Sequence, residues 1–213
     1  MVSSKGSAVV ILVSGGIDST ILLSYMTNKG STVCPLFINY GQRSAKRESL
    51  SFTNTCNRLS LPQRIHIDVP NLSRLTRNQL TSQDSKDPWF PMRNSLLVDI
   101  AALYAQSVGS NTVAIGLTEG PTFPDTSELF IRKATQAISL SLCAPFQVVA
   151  PFRSLRKSEV ISLASGLNVR LADTYSCYIG DPDHCGSCQG CTSRKDAFRL
   201  ASVSDTTRYS SQT

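Results

Sequence analysis

The stretch AVVILVSGGIDST, residues 8–20, decides the fold that this sequence predicts. Residues 8–13 form a continuous apolar run, which is typical of a strand covered on both faces of a sheet. A turn with two glycines follows at 14–16, and residues 19–29 then show an apolar stripe at helical spacing. A strand, a glycine-rich turn and a helix in direct succession predict the first unit of an α/β domain.

The same alternation continues along the chain. Further strands are predicted at 33–40, 64–69, 113–116 and 147–150, and helices at 43–59, 94–108, 127–142 and 157–165. The polar segment 71–90, bordered and interrupted by prolines, is predicted to be a loop at the mouth of a site. Because parallel strands need crossover connections, the order predicts an open parallel α/β sheet.

Composition narrows the class of protein. The 213 residues suit one domain with a small appendage, and 41% hydrophobic against 17% charged residues excludes a disordered or coiled-coil chain. No apolar run approaches the roughly 18 to 20 residues of a membrane span, and none resembles a secretory signal. We therefore expect a cytoplasmic protein with no membrane partner. The net charge of +6 indicates anionic partners, either nucleic acid or a phosphate-bearing small molecule.

The turn after the first strand, Ser14-Gly15-Gly16-Ile17-Asp18-Ser19, predicts an anion site. Its glycines let the backbone approach a ligand closely, and the following helix offers unpaired N–H groups. Ser14, Ser19 and Thr20 add hydroxyl donors, while Asp18 would hold a Mg²⁺ ion. The alternative is a plain strand–turn–helix corner with Asp18 as the N-cap.

The seven cysteines fall into two groups. Four of them lie in an irregular, glycine-rich segment with spacing that suits a tetrahedral metal site, with zinc favoured over an iron–sulfur cluster: Cys177, Cys185, Cys188 and Cys191. His184 is expected beside this site rather than as a ligand. Gly186 and Gly190 would form a knuckle that points backbone N–H groups at sulfur. The remaining three are expected to be packing residues: Cys34, Cys56 and Cys143.

The SGGIDS string resembles the pyrophosphate loop of the PP-loop ATP pyrophosphatases. This resemblance implies that the loop grips the β,γ-pyrophosphate of ATP as the leaving group, so that attack falls on the α-phosphorus. A carbonyl or carboxyl oxygen of the substrate would then carry AMP and become a good leaving group for an incoming nitrogen or sulfur.

Four further motifs are similar to those of one branch of that class, the QueC family of 7-cyano-7-deazaguanine synthases. They span most of the chain in the family's order: Tyr40-Gly41-Gln42-Arg43 with Glu48, Pro91-Met92-Arg93-Asn94, Ser176-Cys177-Tyr178, and Cys185-Gly186-Ser187-Cys188-Gln189-Gly190-Cys191 with Arg194. The resemblance implies a Rossmann-like adenine nucleotide hydrolase-type fold with a Cys₄ zinc site, commonly as a homodimer. It also implies a reaction: ATP and ammonia convert 7-carboxy-7-deazaguanine to its amide, and a second ATP converts the amide to the nitrile.

Residue roles follow from the same resemblance. ATP and Mg²⁺ would be bound by Ser14, Gly15, Gly16, Asp18, Ser19, Thr20, Arg43 and Asn94. The deazaguanine substrate would be bound by Tyr40, Gln42, Arg93, Glu119, Phe123 and Asp125. Catalysis would use Asp18, Ser19, Arg93 and Lys157, the last by stabilising charge on the phosphates. The plain alternatives are a surface ion pair for Arg93, an N-cap for Asn94 and a solvated first helical turn for Lys157.

Residues 119–127 depart from the family pattern. The family has an Asp-Tyr-Ser-Gly-Tyr-Pro-Asp-Cys-Arg run, whereas this chain has Glu-Gly-Pro-Thr-Phe-Pro-Asp-Thr-Ser. A loop at the carboxyl end of a strand is where open α/β sheets bind ligands. Glu119 and Asp125 are therefore expected to face the guanine-like edge of the substrate, and a solvated loop is the alternative.

Three functions stay open at this point. The leading one is the full conversion to the nitrile; a variant stops at the amide or passes the activated carboxylate to another amine, such as one on a protein. A zinc-dependent nucleic-acid-binding module is the third. The basic stretch from Arg43 to Arg77 shows no aromatic interleaving for stacking on bases, so we expect that nucleic acid is not required. We expect a PP-loop domain over 1–172, a zinc lobe over 173–200 and a flexible tail over 201–213.

Overall fold

Five parallel strands form one sheet in the computed structural model, which describes residues 8–87, 89–120 and 123–210. The strands are β1 (Val9–Leu12), β2 (Val33–Asn39), β3 (Ile65–Asp68), β4 (Thr112–Ile115) and β5 (Gln147–Val149), in the order β3-β2-β1-β4-β5. The central strand β1 pairs on one side with β2, Val9 opposite Val33, and on the other with β4, Val10 opposite Val113. The predicted parallel α/β sheet is confirmed.

Helices cover both faces of this sheet. Within the described ranges they are α1 (Ile17–Asn28), α2 (Ala45–Arg58), α3 (Arg93–Ser107), α4 (Glu128–Leu142), α5 (Lys157–Leu163) and α6 (Gln189–Leu200). On one face, Ile21 of α1 and Phe198 of α6 share a core with Ile11, whereas on the other Val98 of α3 packs with Val10. Because β1 side chains enter both cores, the strand is apolar throughout. None of the described helices is long and apolar enough to cross a membrane.

The first helix begins at Ile17, two residues before the predicted start. Gly15 adopts φ +75°, a conformation that glycine reaches without strain, and the extended Gly16 is the N-cap. Asp18 therefore lies inside the first turn rather than at the cap. The plain alternative for Asp18, an N-cap, is wrong.

Helix α6, over 189–200, is not predicted by the sequence pattern. The segment QGCTSRKDAFRL is polar and has a glycine at its second position, so its apolar periodicity is weak. It is helical in the folded chain because Cys191, Ala197 and Phe198 are buried, with α6 packed against α5.

Residues 203–210, expected to belong to a flexible tail, lie along the cysteine-containing lobe. The backbone N–H of His184 donates to the carbonyl of Arg208 over 3.0 Å, and the carbonyl of His184 accepts from the N–H of Ser210 over 2.8 Å. Asp205 faces the fully buried Arg194 of α6 over 3.4 Å. Residues 211–213 of the expected tail and 1–7 of the expected main domain lie outside the described residues.

Two of the three scattered cysteines are packing residues, as predicted. Cys34 and Cys56 are buried in the two cores. Cys143 is exposed at the C-terminal end of α4, where it adopts the left-handed conformation with φ 50°. Its predicted packing role is wrong, because the chain turns away from the core at that position.

Candidate active site

A pocket of about 420 Å³ opens at the carboxyl ends of β1, β2 and β4. The strand order changes direction beside β1, which is the usual ligand position in open α/β sheets. Leu36, Leu97 and Ile115 give it an apolar lining, and polar groups face it from several loops. The predicted site residues that line it are Ser14, Gly16, Asp18, Ser19, Tyr40, Gln42, Arg93, Asn94, Glu119, Phe123 and Lys157.

The glycine-rich turn, residues 14–19, forms one wall of the pocket as a network of short contacts. The hydroxyls of Ser14 and Ser19 lie 3.2 Å apart, and the N–H of Ser14 donates to Ser19 Oγ over 3.2 Å. Ser19 Oγ in turn donates to the carbonyl of Gly16 over 3.3 Å. The two hydroxyls are thus held at the N-terminal end of α1, where helical N–H groups attract anions.

Asp18 and Lys157 meet across the pocket, from the first turn of α1 and the first turn of α5. Lys157 Nζ lies 3.2 Å from Asp18 Oδ2. The other oxygen, Asp18 Oδ1, is buried and has no hydrogen-bond partner among the described residues. A buried carboxylate oxygen without a donor is costly unless a ligand or a cation satisfies it. The solvated alternative for Lys157 is therefore not what the structure shows.

Gly116, directly after β4, allows this turn to approach the sheet. A Cβ at this position would lie 2.9 Å from the backbone N of Ser19 and 3.0 Å from the carbonyl carbon of Asp18. Any larger residue would push the N-terminal end of α1 away from β4. No local sequence pattern indicates this contact, because the two segments are distant in the chain.

The opposite wall contains a hydrogen-bonded group that follows β2. Gln42 Oε1 accepts from the N–H of Tyr40 over 2.9 Å, and Gln42 Nε2 donates to Glu48 Oε2 over 2.8 Å. Ser44 Oγ donates to Glu48 Oε1 over 2.6 Å. Arg93 lines the pocket beside this group. The Tyr-Gly-Gln-Arg motif therefore shapes the wall mainly through Tyr40 and Gln42.

Burial changes the acid–base properties of this wall. It raises the pKa of Tyr40 to about 12, although the positive charge of Arg93 acts in the opposite direction. Burial also raises the pKa of Glu48, against the hydrogen bonds from Ser44 and Gln42 and the charge of Arg93. Tyr40 is therefore a neutral hydrogen-bonding group at physiological pH. Arg93 lies among these side chains, so the plain alternative of a surface ion pair does not describe it.

Asp125 holds the N-terminal end of α3 instead of facing the pocket. Its Oδ2 accepts from the backbone N–H of Asn94 over 2.9 Å, and its own carbonyl accepts from Asn94 Nδ2 over 3.0 Å. The N-cap of α3 is Met92, so the plain alternative for Asn94, an N-cap, is wrong. Asp125 thus fixes the position of Arg93 and Asn94, and it does not line the pocket.

Three predicted nucleotide-binding residues do not line the pocket either: Gly15, Thr20 and Arg43. The carbonyl of Gly15 accepts from Ser51 Oγ over 2.7 Å and from the N–H of Tyr175 over 2.9 Å, so it anchors the turn from behind. Thr20 is buried within α1. Their predicted contacts with ATP stay a prediction, whereas the structure gives Gly15 a role in holding the loop.

The divergent loop 119–127 borders the mouth of the pocket. Glu119 is exposed, and its backbone N–H donates to the carbonyl of Leu155 over 2.7 Å. Phe123 and Thr126 face the pocket, while residues 121 and 122 lie outside the described part of the chain. The loop therefore contributes an aromatic ring and a rim carboxylate.

A second centre lies in the C-terminal lobe, where the four bunched cysteines meet. The Sγ atoms of Cys177, Cys185, Cys188 and Cys191 all lie within 4.8 Å of one another. Backbone N–H groups point at them: that of Cys185 lies 3.4 Å from Cys177 Sγ, and that of Cys188 lies 3.3 Å from Cys185 Sγ. Four cysteine sulfurs surrounded by N–H donors fit one tetrahedral metal ion.

His184 supports this lobe and does not join the sulfur cluster. Its Nε2 accepts from the N–H of Ser176 over 3.0 Å, and its ring packs between Tyr175 and Tyr209. Gly190 allows α6 to pack closely against the segment that carries Ser176. It lies in α6 so close to the carbonyl of Ser176 that a Cβ would collide with that atom.

The lobe also forms part of the pocket, through the segment 174–178. Tyr175, Ser176 and Tyr178 line the pocket, and the N–H of Tyr175 binds the carbonyl of Gly15. From behind, Arg194 donates to Thr174 Oγ1 over 2.7 Å and to Ser176 Oγ over 3.2 Å. The cysteine cluster and the glycine-rich turn are thus joined by one short segment.

Comparison with known proteins decides the family. The family model described as "Queuosine biosynthesis protein QueC" matches residues 8–202. The chain belongs to the QueC family. The resemblance read from the sequence is confirmed.

Relatives of similar length support the assignment. The chain is 32% identical to a 7-cyano-7-deazaguanine synthase of Campylobacter concisus, over 94% of this chain and 97% of the relative. It is 31% identical to one of Methanosphaera stadtmanae, over 96% and 99%. The prediction that this QueC-family chain is a ligase-type enzyme is confirmed by these relatives.

Among solved structures, the NMN synthetase of Francisella tularensis is similar with a TM-score of 0.53 at 16% identity, over 96% of this chain and 80% of that one. At this level of identity the likeness concerns the fold alone. It agrees with the PP-loop type of α/β fold that the sequence predicts for this QueC-family chain.

Proposed function

We propose that the chain is a 7-cyano-7-deazaguanine synthase that activates its substrate by adenylation. The observation that supports this most strongly is the single pocket that joins the SGGIDS turn to the wall around Arg93 and Tyr40. One end offers hydroxyls, helical N–H groups and a lysine, which suit phosphates. The other end offers aromatic, apolar and hydrogen-bonding groups, which suit a flat heterocycle.

At the phosphate end, the turn would hold the β,γ-pyrophosphate of ATP. The hydroxyls of Ser14 and Ser19, which lie 3.2 Å apart, would turn to donate to phosphate oxygens, and the N-terminal end of α1 would add N–H groups. Lys157 supplies positive charge where the leaving pyrophosphate gains negative charge. The oxygen of the substrate carboxylate attacks the α-phosphorus, and the bond to the bridging oxygen breaks to release pyrophosphate.

The residues at this end also fit a Mg²⁺ ion. Asp18 Oδ1 is buried without a partner, and carboxylate oxygens are the ligands that Mg²⁺ prefers. Asp18 would hold the ion together with phosphate oxygens, and a bound Mg²⁺ would neutralise charge on the pyrophosphate. Lys157 orients the same carboxylate through its other oxygen.

At the other end, the heterocycle would lie beside Tyr40, Arg93 and Phe123. Ammonia attacks the carbonyl carbon of the acyl adenylate, the C–O bond to AMP breaks, and a proton leaves the nitrogen, which gives the amide. In a second round the amide oxygen attacks the α-phosphorus of another ATP, and the bond to the bridging oxygen breaks to release a second pyrophosphate. Loss of AMP and of the remaining amide protons leaves the nitrile. Arg93 and Asn94 line the pocket through both rounds.

The four cysteines would hold one zinc ion as a structural centre. Their mutual distances and the N–H groups around them fit a closed tetrahedral site, in which the ion contributes folding free energy. Because Cys177 lies between two pocket-lining residues, Ser176 and Tyr178, the centre would fix that wall.

The divergent loop supports a second candidate for the product. It supplies no cysteine or arginine, and the carboxylate of Asp125 is engaged by the N–H of Asn94. An enzyme with fewer polar groups at the pocket mouth would stop at the amide, or transfer the acyl group to a larger amine that enters there.

The test is product analysis by mass spectrometry after incubation with ATP, Mg²⁺, ammonia and 7-carboxy-7-deazaguanine. We expect the nitrile, with two AMP and two pyrophosphate formed for each nitrile. Accumulation of the amide, with one AMP formed for each amide, would favour the second candidate, an enzyme that stops at the amide. Binding of RNA or DNA without any AMP release would contradict both.

A further inference from the structure

Glu48 is a carboxylate in the pocket to which the proposed chemistry assigns no task. It lies in the first turn of α2, and its side chain lines the pocket on the wall that follows β2. No ion pair within 4.0 Å involves it among the described residues. No cationic side chain among the described residues therefore pairs closely with this carboxylate at the pocket wall.

The hydrogen bonds that Glu48 already accepts leave part of its carboxylate free to accept others. Oε1 accepts from Ser44 Oγ over 2.6 Å, and Oε2 accepts from Gln42 Nε2 over 2.8 Å. Each carboxylate oxygen has two lone-pair directions, so one acceptor position remains on each oxygen. Ser44 and Gln42 also fix the orientation of the carboxylate, since both are themselves buried.

We propose that Glu48 determines specificity by accepting hydrogen bonds from the two adjacent N–H donors of the guanine-like edge of the substrate. This inference rests on the proposed function. A 2-aminopyrimidinone edge offers a ring N–H and an amino N–H side by side, which matches one free position on each carboxylate oxygen. The adenine edge of ATP offers one amino donor beside a ring nitrogen that is an acceptor. A carboxylate oxygen and this ring nitrogen would repel each other, because both carry lone pairs.

The surroundings of Glu48 fit the rest of that edge. Burial raises the pKa of Glu48 overall, against the hydrogen bonds from Ser44 and Gln42. Arg93 is near enough for its charge to lower this pKa as well, by a smaller amount. The carbonyl oxygen next to the two donors of a guanine-like edge needs a hydrogen-bond donor, and Arg93 supplies one on the same wall. The apolar side chains Leu97 and Ile38 face the same space.

The two carboxylates that the sequence suggested for this task are less suitable. Asp125 accepts the backbone N–H of Asn94 and does not line the pocket. Glu119 lies at the rim and is exposed, so water competes for its hydrogen bonds. Glu48 is the carboxylate on the interior wall, beside Tyr40 and Arg93.

The experiment compares Glu48→Gln with the wild-type chain on two substrates, 7-carboxy-7-deazaguanine and its analogue without the 2-amino group. Binding of each is measured by calorimetry, and AMP release is measured separately. We expect the wild type to prefer the amino compound by about 100-fold, and Glu48→Gln to reduce that preference to a few-fold. The affinity for ATP should not change. Glu128→Gln, the same change at an exposed position of α4, is the control.

Three results would overturn the inference. If Glu48→Gln lowers the affinity for both compounds equally, Glu48 has a purely structural role. If Glu48→Gln raises the KM for ATP, adenine binds at this position. If Glu119→Gln loses the selectivity, the contact lies at the rim. If the wild type binds selectively but releases no AMP, the proposed function fails while the role of Glu48 stands. If the wild type binds neither compound, both fail.

Discussion

Lys157 Nζ lies 3.2 Å from one carboxylate oxygen of Asp18, and the other oxygen of Asp18 is buried without a hydrogen-bond partner among the described residues. Two helices that are far apart in the chain, α1 and α5, supply this pair. The arrangement orients a carboxylate toward the pocket and leaves one oxygen for a cation or a ligand. It is the feature on which the proposed phosphate chemistry depends most.

The first prediction concerns this pair. Asp18→Asn should lower the rate of AMP formation by at least about 1,000-fold, because the neutral amide does not attract Mg²⁺ or orient Lys157. Lys157→Met should lower it by roughly 100-fold, since the charge on the leaving pyrophosphate is then less stabilised. Both are measured by AMP release at saturating substrate. Asp196→Asn, an exposed position of α6, is the control, and retained activity in Asp18→Asn would contradict the loop assignment.

Gly116 gives the second prediction. In Gly116→Ala the new Cβ would meet the backbone of Ser19 at 2.9 Å, so the N-terminal end of α1 must shift. We expect kcat/KM for ATP to fall at least about tenfold, because the phosphate-binding N–H groups move with the helix. Gly166→Ala is the matched control, since no atom lies within 4 Å of its new Cβ. Equal kinetics of the two variants would show that the close approach has no functional role.

The third prediction concerns the link between Asp125 and α3. Asp125→Ala removes the acceptor of the Asn94 N–H, and we expect a loss of about 1 kcal/mol in the free energy of unfolding. The substrate KM should rise as well, because Arg93 is the neighbouring residue. Asp125→Asn keeps a carbonyl oxygen at this position and should retain most of both properties. Urea denaturation and steady-state kinetics measure the effects; an Asn variant as impaired as the Ala variant would indicate that the charge itself acts.

The cysteine centre gives the fourth prediction. Purified protein should contain one zinc ion per chain by elemental analysis, and Cys188→Ser should lose it together with several kcal/mol of stability. Cys143→Ser, at the exposed end of α4, is the matched control and should keep both. Iron with acid-labile sulfide in place of zinc would contradict the assignment, as would a stable, metal-free Cys188→Ser chain.

The elements near β1 could be predicted from sequence because their signals are local. The apolar run 8–13 and the glycines at 15 and 16 determine a strand and a turn without help from distant residues. Helix α6 could not be predicted in this way. Its polar sequence forms a helix because Phe198 and Cys191 are buried against other parts of the fold.

The residues of the site likewise divide into those with a local sequence signal and those placed by tertiary contacts. Asp18 and Arg93, which lie in the family-like motifs, both line the pocket. Asp125 does not, because an apparently suitable carboxylate is engaged by the N–H of Asn94, which only the tertiary structure brings near. Gly116 and Tyr175 contact the turn from distant positions and have no local signal.

In the proposed reaction, an oxygen of the substrate carboxylate attacks the α-phosphorus of ATP. The most direct measurement uses 7-carboxy-7-deazaguanine labelled with ¹⁸O in its carboxylate, with mass spectrometry of the nucleotide products. We expect AMP carrying one ¹⁸O, unlabelled pyrophosphate and a nitrile without ¹⁸O. Formation of ADP with labelled phosphate, or of AMP without label, would contradict it.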